Sequence, residues 1–209
     1  MVSKSDLLKQ QIEESIELRK KVFNEIDQII LMADVFINAF RKGNKVYVIG
    51  NGGSGADSLH LATELSGRFN KDRISLPAEA LSSNISLITA LANDYGFENI
   101  FAHQVKGIAK KGDILWGLST GGNSDNIVRA FQAGNKNGTI NIGFIGKNGG
   151  RLKEVSDYNL HVQSFNTARI QEMHLFYGHL LCGIIEDTLI SELQDDNIKA
   201  IHPDMVKDN

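Results

Sequence analysis

Two turns in the chain are rich in glycine and hydroxyl groups: Gly50-Asn51-Gly52-Gly53-Ser54-Gly55 and Ser119-Thr120-Gly121-Gly122-Asn123-Ser124. Each follows a short apolar run and opens a helical pattern. Glycine lets backbone come close to a ligand, the free amides of a starting helix point outward, and the helix dipole favours an anion there. The hydroxyls of the second turn add donors. Either turn alone reads equally well as a loop with a capping serine; two on neighbouring strands predict a phosphate site. The first turn also spells Gly50-x-Gly52-x-x-Gly55, the dinucleotide fingerprint, which needs an acid about 20 residues on, at the end of the second strand. That region reads Arg68-Phe69-Asn70-Lys71-Asp72-Arg73. Asp72 precedes the second strand and Glu79 comes about ten residues late for the ribose. No nucleotide cofactor is expected.

The ionisable residues form a second group. His60 and Glu64 are spaced i, i+4 and share one face of the helix after the first turn. Such a pair suits a metal ion, or a base held by its neighbour, and it also occurs as an ordinary surface contact. In "ARIQEMHLFYGHLLCGIIED", residues 168–187, Gln171, His174 and His179 interrupt an apolar run. Asn93-Asp94 adds a carboxylate at a helix–loop junction.

These residues need a scaffold. Strand patterns at 45–50, 73–81, 113–119, 139–146 and 158–163 alternate with helical patterns at 54–67, 84–92, 97–110, 123–137, 149–156 and 167–192. That alternation predicts an α/β fold, a doubly wound, mainly parallel five-stranded sheet with ligands at the carboxyl ends of its strands. Pro77 places the second strand near an edge, and Trp116, mid-strand, reads as core. Residues 3–42 contain neither Gly nor Pro and carry apolar residues at three- and four-residue steps from Ile12 to Phe40. They predict one long helix, or two with a break, packed on another subunit or folded back on its own domain. The whole of 1–209 reads as one domain: helical segment 1–42, α/β core 43–192 and a polar tail 193–209.

Bulk properties narrow the classes. A formal net charge of −3 and pI near 6.1 give no electrostatic reason to expect nucleic acid or an anionic membrane as partner. No apolar window long enough to span a bilayer occurs, and the charged N-terminus lacks a signal-peptide pattern, so a cytoplasmic location is expected. The single cysteine, Cys182, reads as a buried thiol.

Taken together, "GNGGSGADSLHLATELSGRF", "NDYGF", "GDILWGLSTGGNSDNIVRAF", "GFIGKNGG" and "ARIQEMH" resemble the SIS (sugar isomerase) domain of phosphoheptose isomerases over roughly residues 10–190. The resemblance implies a flavodoxin-like three-layer subunit in a homotetramer with active sites at subunit interfaces. It implies isomerisation of sedoheptulose 7-phosphate to D-glycero-D-manno-heptose 7-phosphate, for heptose-containing glycans. Ser119, Thr120, Gly121 and Ser124 would hold the phosphate; Asn51, Gly52, Gly53, Glu64, Asn93, Asp94 and Gln171 would line the sugar. Glu64 and His179 would be the acid–base pair, and His60, Glu64, Gln171 and His179 would hold one zinc ion per subunit. Gln171 and His179 lie eight residues apart, about 12 Å along a straight helix. One ion cannot easily take both, so ligands from two subunits are expected rather than a helix distorted near Gly178. Three positions depart from the family: Gly121 replaces a serine, Gly55 a histidine and Ala168 an acid. The alternative that Ala168 and Gly121 support is a non-catalytic SIS protein that binds a replication initiator or senses a sugar phosphate. Retention of Glu64 and His179 favours the enzyme.

Overall fold

The computed structural model describes residues 2–194; the expected polar tail lies almost entirely outside them. Five strands, β1 (Val46–Gly50), β2 (Ala78–Ala80), β3 (Ile114–Ser119), β4 (Ile140–Gly146) and β5 (Tyr158–Val162), form one sheet in the order β2-β1-β3-β4-β5, every pair parallel. β1 and β3 are buried along their whole length, as parallel strands covered on both faces must be.

The helices divide between the two faces. On one, α2 (Ile26–Arg41), α3 (Gly52–Ser66) and α8 (Thr167–Gln194) pack with Trp116, Phe144 and Leu160. Trp116 stands edge-on between Phe36 and Phe144, ring centroids 5.1 Å from each. On the other face, α4 (Ile85–Tyr95), α5 (Ile100–Ile108), α6 (Asp125–Asn137) and the single turn α7 (Leu152–Val155) pack on Ile49, Leu115 and Ile145. The helix after β1 therefore covers one face and the helix after β3 the other. Those two strands are neighbours, which puts the crevice of a doubly wound sheet between their carboxyl ends.

The N-terminal segment has the break that its length allowed. α1 (Lys4–Lys21) starts at Ser3, whose hydroxyl accepts from the Asp6 amide, and a 3-10 turn at Val22–Glu25 separates it from α2. α2 folds back onto its own domain and buries Ile29, Met32, Phe36 and Phe40, whereas α1 buries only Leu18. Leu8, Ile12, Ile16 and Phe23 stay exposed.

The second strand is shorter than its 73–81 pattern. Only 78–80 pair with β1, and the Pro77 carbonyl accepts from the Val46 amide at their start. Arg73 has turned inward for another purpose. Its side chain is 3% exposed and pairs with Glu186 of α8, 1% exposed, at 3.0 Å. The Glu186 carboxylate also accepts from the amides of Phe69, Asn70 and Lys71 at 2.7–2.9 Å. Arg73 donates to the carbonyls of Glu64, Leu65, Gly67 and Ile74. This clamp ties the end of α3 to α8. Burial raises the Glu186 carboxyl pKa, but the three amides and Arg73 outweigh that and hold it below the usual value.

Candidate active site

α3 begins directly after β1, so the first turn and the ionisable pair on α3 lie along one line. His60 Nε2 stands 3.1 Å from Glu64 Oε1 and 2.9 Å from His179 Nε2, which comes from α8. The two helices meet this closely because position 178 has no side chain. A methyl group there would lie 2.4 Å from a terminal carbon of Leu61, a fully buried residue. Phe69, held by Glu186, lies against the His179 ring at 5.5 Å between centroids. Burial lowers the His179 pKa, the neighbouring His60 lowers it further, and Glu64 partly offsets both.

One ligand atom each from His60, Glu64 and His179 lies within 4.8 Å of the others. Nitrogen and carboxylate donors bound to zinc at about 2 Å sit about 3.3 Å apart in a tetrahedron, so this set fits such an ion with small side-chain movements. α8 is unbroken from Thr167 to Gln194, so, as expected, no distortion near Gly178 brings Gln171 to His179. Three of the four suggested ligands come together within one chain. Gln171 does not join them. It faces Gly53, where a methyl group would lie 2.2 Å from its Nε2, and it hydrogen-bonds Asp57, one turn before His60. Asp57 is half-buried with Oδ2 unpartnered; burial raises its pKa, while Gln171 and His60 work against that rise.

The second turn lies across the crevice. Ser119 Oγ accepts from the Gly122 amide at 3.0 Å and is 3.3 Å from Ser124 Oγ. Ser124 precedes the first turn of α6, yet its side chain does not cap it, so both hydroxyls converge at a helix N-terminus. Gly122 has φ +66°, and a methyl there would lie 1.9 Å from the Gly149 carbonyl, so the "GKNGG" turn after β4 packs directly under this loop. Nothing lies within 4 Å of a methyl placed on Gly121.

Sequence reasoning missed two residues here. Arg151 donates to the Asn123 carbonyl at 2.8 Å and pairs with Asp125, an exposed contact that holds the Asp125 carboxyl below its usual pKa. It steadies the loop and offsets an acidic charge beside the second turn. Asn126, buried at the start of α6, pairs with Asn51.

A cavity of about 410 Å³ opens beside the first turn, lined by Asn51, Gly52, Leu59, Ser82, Ile88 and Phe97 among others. Asn93 and Asp94 do not line it. They are exposed at the end of α4, with Asn93 Nδ2 donating to Asp94 Oδ1 at 2.8 Å. His174 is fully buried against Phe144 and takes no part. Cys182 is buried as expected, and burial pushes its thiol pKa up to about 12, so it is no nucleophile at neutral pH. No described helix is long and apolar enough to cross a membrane.

Comparison with known proteins gives one answer. The SIS domain family model matches residues 10–146, more than half of the chain. A phosphoheptose isomerase from Clostridium acetobutylicum is 43% identical over 194 residues, 91% of this chain and 99% of that protein. One from Nitratiruptor is 49% identical over 81% of this chain and 91% of its own. The solved structure of a phosphoheptose isomerase from Francisella tularensis superposes with a TM-score of 0.85 at 35% identity, covering 89% of this chain and all of that one. The enzyme from Neisseria gonorrhoeae does so with 0.83 at 32%. By family model, by sequence and by fold, the chain belongs to the phosphoheptose isomerases of the SIS-domain family, which are aldose–ketose isomerases.

Proposed function

We propose that the chain converts sedoheptulose 7-phosphate to D-glycero-D-manno-heptose 7-phosphate through an enediol, supplying heptose for glycan synthesis. The juxtaposition of Glu64 and His179 where α3 meets α8, in a chain whose β1 and β3 end in two anion-type turns, carries this reading. The phosphate sits against Ser119, Thr120, Gly121 and Ser124. Its binding energy holds the open-chain sugar in place far from the reacting carbons. Asn51, Gly52, Gly53 and Gln171 contact the chain of hydroxyls. Asn93 and Asp94 act from α4, the helix that walls the cavity.

The reaction moves a proton between adjacent carbons. Glu64 takes it from one carbon and returns it to the other. His179 donates a proton to the carbonyl oxygen as the enediol forms and takes one back from the neighbouring hydroxyl as it collapses. Zinc bound by His60, Glu64 and His179 would polarise that same oxygen as a Lewis acid. A carboxylate cannot be a tightly held ligand and a free base at once, so Glu64 serves one role at a time. Gln171, set apart from the trio, is a sugar contact in this reading.

The assembly is a homotetramer. The exposed apolar row on α1, Leu8, Ile12 and Ile16 with Phe23 beyond it, supports contact with another copy.

Incubation with sedoheptulose 7-phosphate, followed by proton NMR for the aldose, tests the function. Glu64→Gln and His179→Ala should each lose about 10²–10⁴ of the rate. Wild-type turnover in either variant, or no aldose from the native protein, refutes the assignment. Tight binding of the sugar phosphate without turnover would point to the non-catalytic alternative.

A further inference from the structure

Asn51 occupies the position before the first turn of α3, where an asparagine side chain ordinarily caps its own helix. It does not cap this one. Its carboxamide turns sideways: Nδ2 donates to Asn126 Oδ1 at 2.8 Å, and Oδ1 accepts from Asn126 Nδ2 at 2.8 Å. Asn126 lies in the first turn of α6 and is 2% exposed. The result is a cyclic pair of two primary amides, each using one N–H and one carbonyl lone pair. Neither amide can flip alone, because that would set N–H against N–H and oxygen against oxygen. Asn51 keeps one N–H and one oxygen lone pair, in directions that the pairing sets.

The position of the pair matters as much as its chemistry. α3 and α6 pack on opposite faces of the sheet. Their N-termini carry the two turns at the ends of β1 and β3. The amide pair is thus a side-chain bridge between the turns, thrown across the crevice in which ligands of such sheets bind.

We propose that Asn126 is a positioning residue for the isomerisation. Through Asn51 it fixes the orientation of the Asn51 carboxamide toward the sugar and the spacing between the sugar turn and the phosphate turn. The inference rests on the reading of Asn51 as a sugar contact. Asn126 itself touches no substrate. A pair kept for stability alone would leave turnover unchanged once the protein is folded; a positioning pair would not.

The test is a double-mutant cycle on the full chain with sedoheptulose 7-phosphate: native protein, Asn51→Ala, Asn126→Ala and the double variant. Asn126→Asp, which keeps the volume and one of the two bonds, carries the same criteria if Asn126→Ala fails to fold. Asn126→Ala is expected to lower kcat about 10–100-fold, since a displacement near 1 Å costs about that much. The inhibition constant of inorganic phosphate should stay within about threefold, because the phosphate turn keeps its own donors. The double variant should be no slower than Asn51→Ala. Native kinetics in Asn126→Ala, or penalties that multiply in the double variant, overturn the inference. Native kinetics in Asn51→Ala remove the reading of Asn51, and this inference with it.

Discussion

Replacing Glu186 by alanine is the most informative single perturbation of the scaffold. The carboxylate accepts from three backbone amides and one guanidinium, all at 2.7–3.0 Å. Hydrogen bonds to a charged group contribute about 1.5–3 kcal/mol each, so a plain sum would reach about 6–12 kcal/mol. The sum is too large, because Asn70 and Lys71 are exposed or nearly so and water can reach their amides once the carboxylate is gone. Arg73, with its side chain 3% exposed, cannot be rehydrated so easily. Breaking one side of a buried ion pair costs about 3–5 kcal/mol, and that is the expected loss. Against a total of about 5–15 kcal/mol for a domain, it is a large fraction. Urea unfolding monitored by circular dichroism reads it as a shift of midpoint at constant slope. Glu186→Gln should lose less, and the paired exchange Arg73→Met with Glu186→Leu should recover part of the loss. A cost below about 1 kcal/mol in Glu186→Ala refutes the assignment of a clamp. Because the folded-state pKa of Glu186 is depressed, its contribution is present above the unfolded value and is lost as pH falls through the folded one.

Two other perturbations follow from the geometry. Gly121→Ser meets nothing within 4 Å and restores a hydroxyl to the phosphate turn; it should lower KM up to about tenfold, one hydrogen bond's worth, with kcat nearly unchanged, by steady-state kinetics. Burial lowers the His174 pKa to about 4, the Ile145 backbone working against the fall, and neither ring nitrogen has a hydrogen bond of ordinary geometry. Below the unfolded value of 6.5 the unfolded chain binds a proton that the folded chain refuses. Stability is therefore full above that value and falls by about 3 kcal/mol as pH drops toward the folded one. His174→Met should flatten this part of the stability–pH curve; an unchanged curve would count against the argument.

Much of the sheet could be read from the chain, because alternating strands and helices in one domain leave few arrangements. The break in the N-terminal helices was among the readings, and β3 and β4 lie within a residue of their patterns. β2 is shorter than its pattern because Arg73, in the stretch before Pro77, is committed to Glu186 rather than to a strand. A charge in "CGIIED", at a core phase of an otherwise apolar helix, was the available signal for that buried partner. Asn126, beside Ile127 and Val128 on the buried face of α6, was a similar one. Gln171 and His179, about 12 Å apart along an unbroken α8, do not meet within one chain, as their spacing predicts. Those two residues face different partners, and α3 brings His60 and Glu64 to His179 within a single chain. Pairings of this kind depend on tertiary distance, which no local pattern encodes.

The bare position at 178 has an evolutionary corollary. α3 and α8 sit close enough for His60 and His179 to touch only because a single methylene's worth of clearance has been left between them. Filling it would wedge the helices apart beside the proposed acid–base pair while leaving the sheet, its strand order and the two glycine-rich turns intact. A one-letter codon change from glycine to alanine is thus a short route from an isomerase to a silent protein of the same architecture.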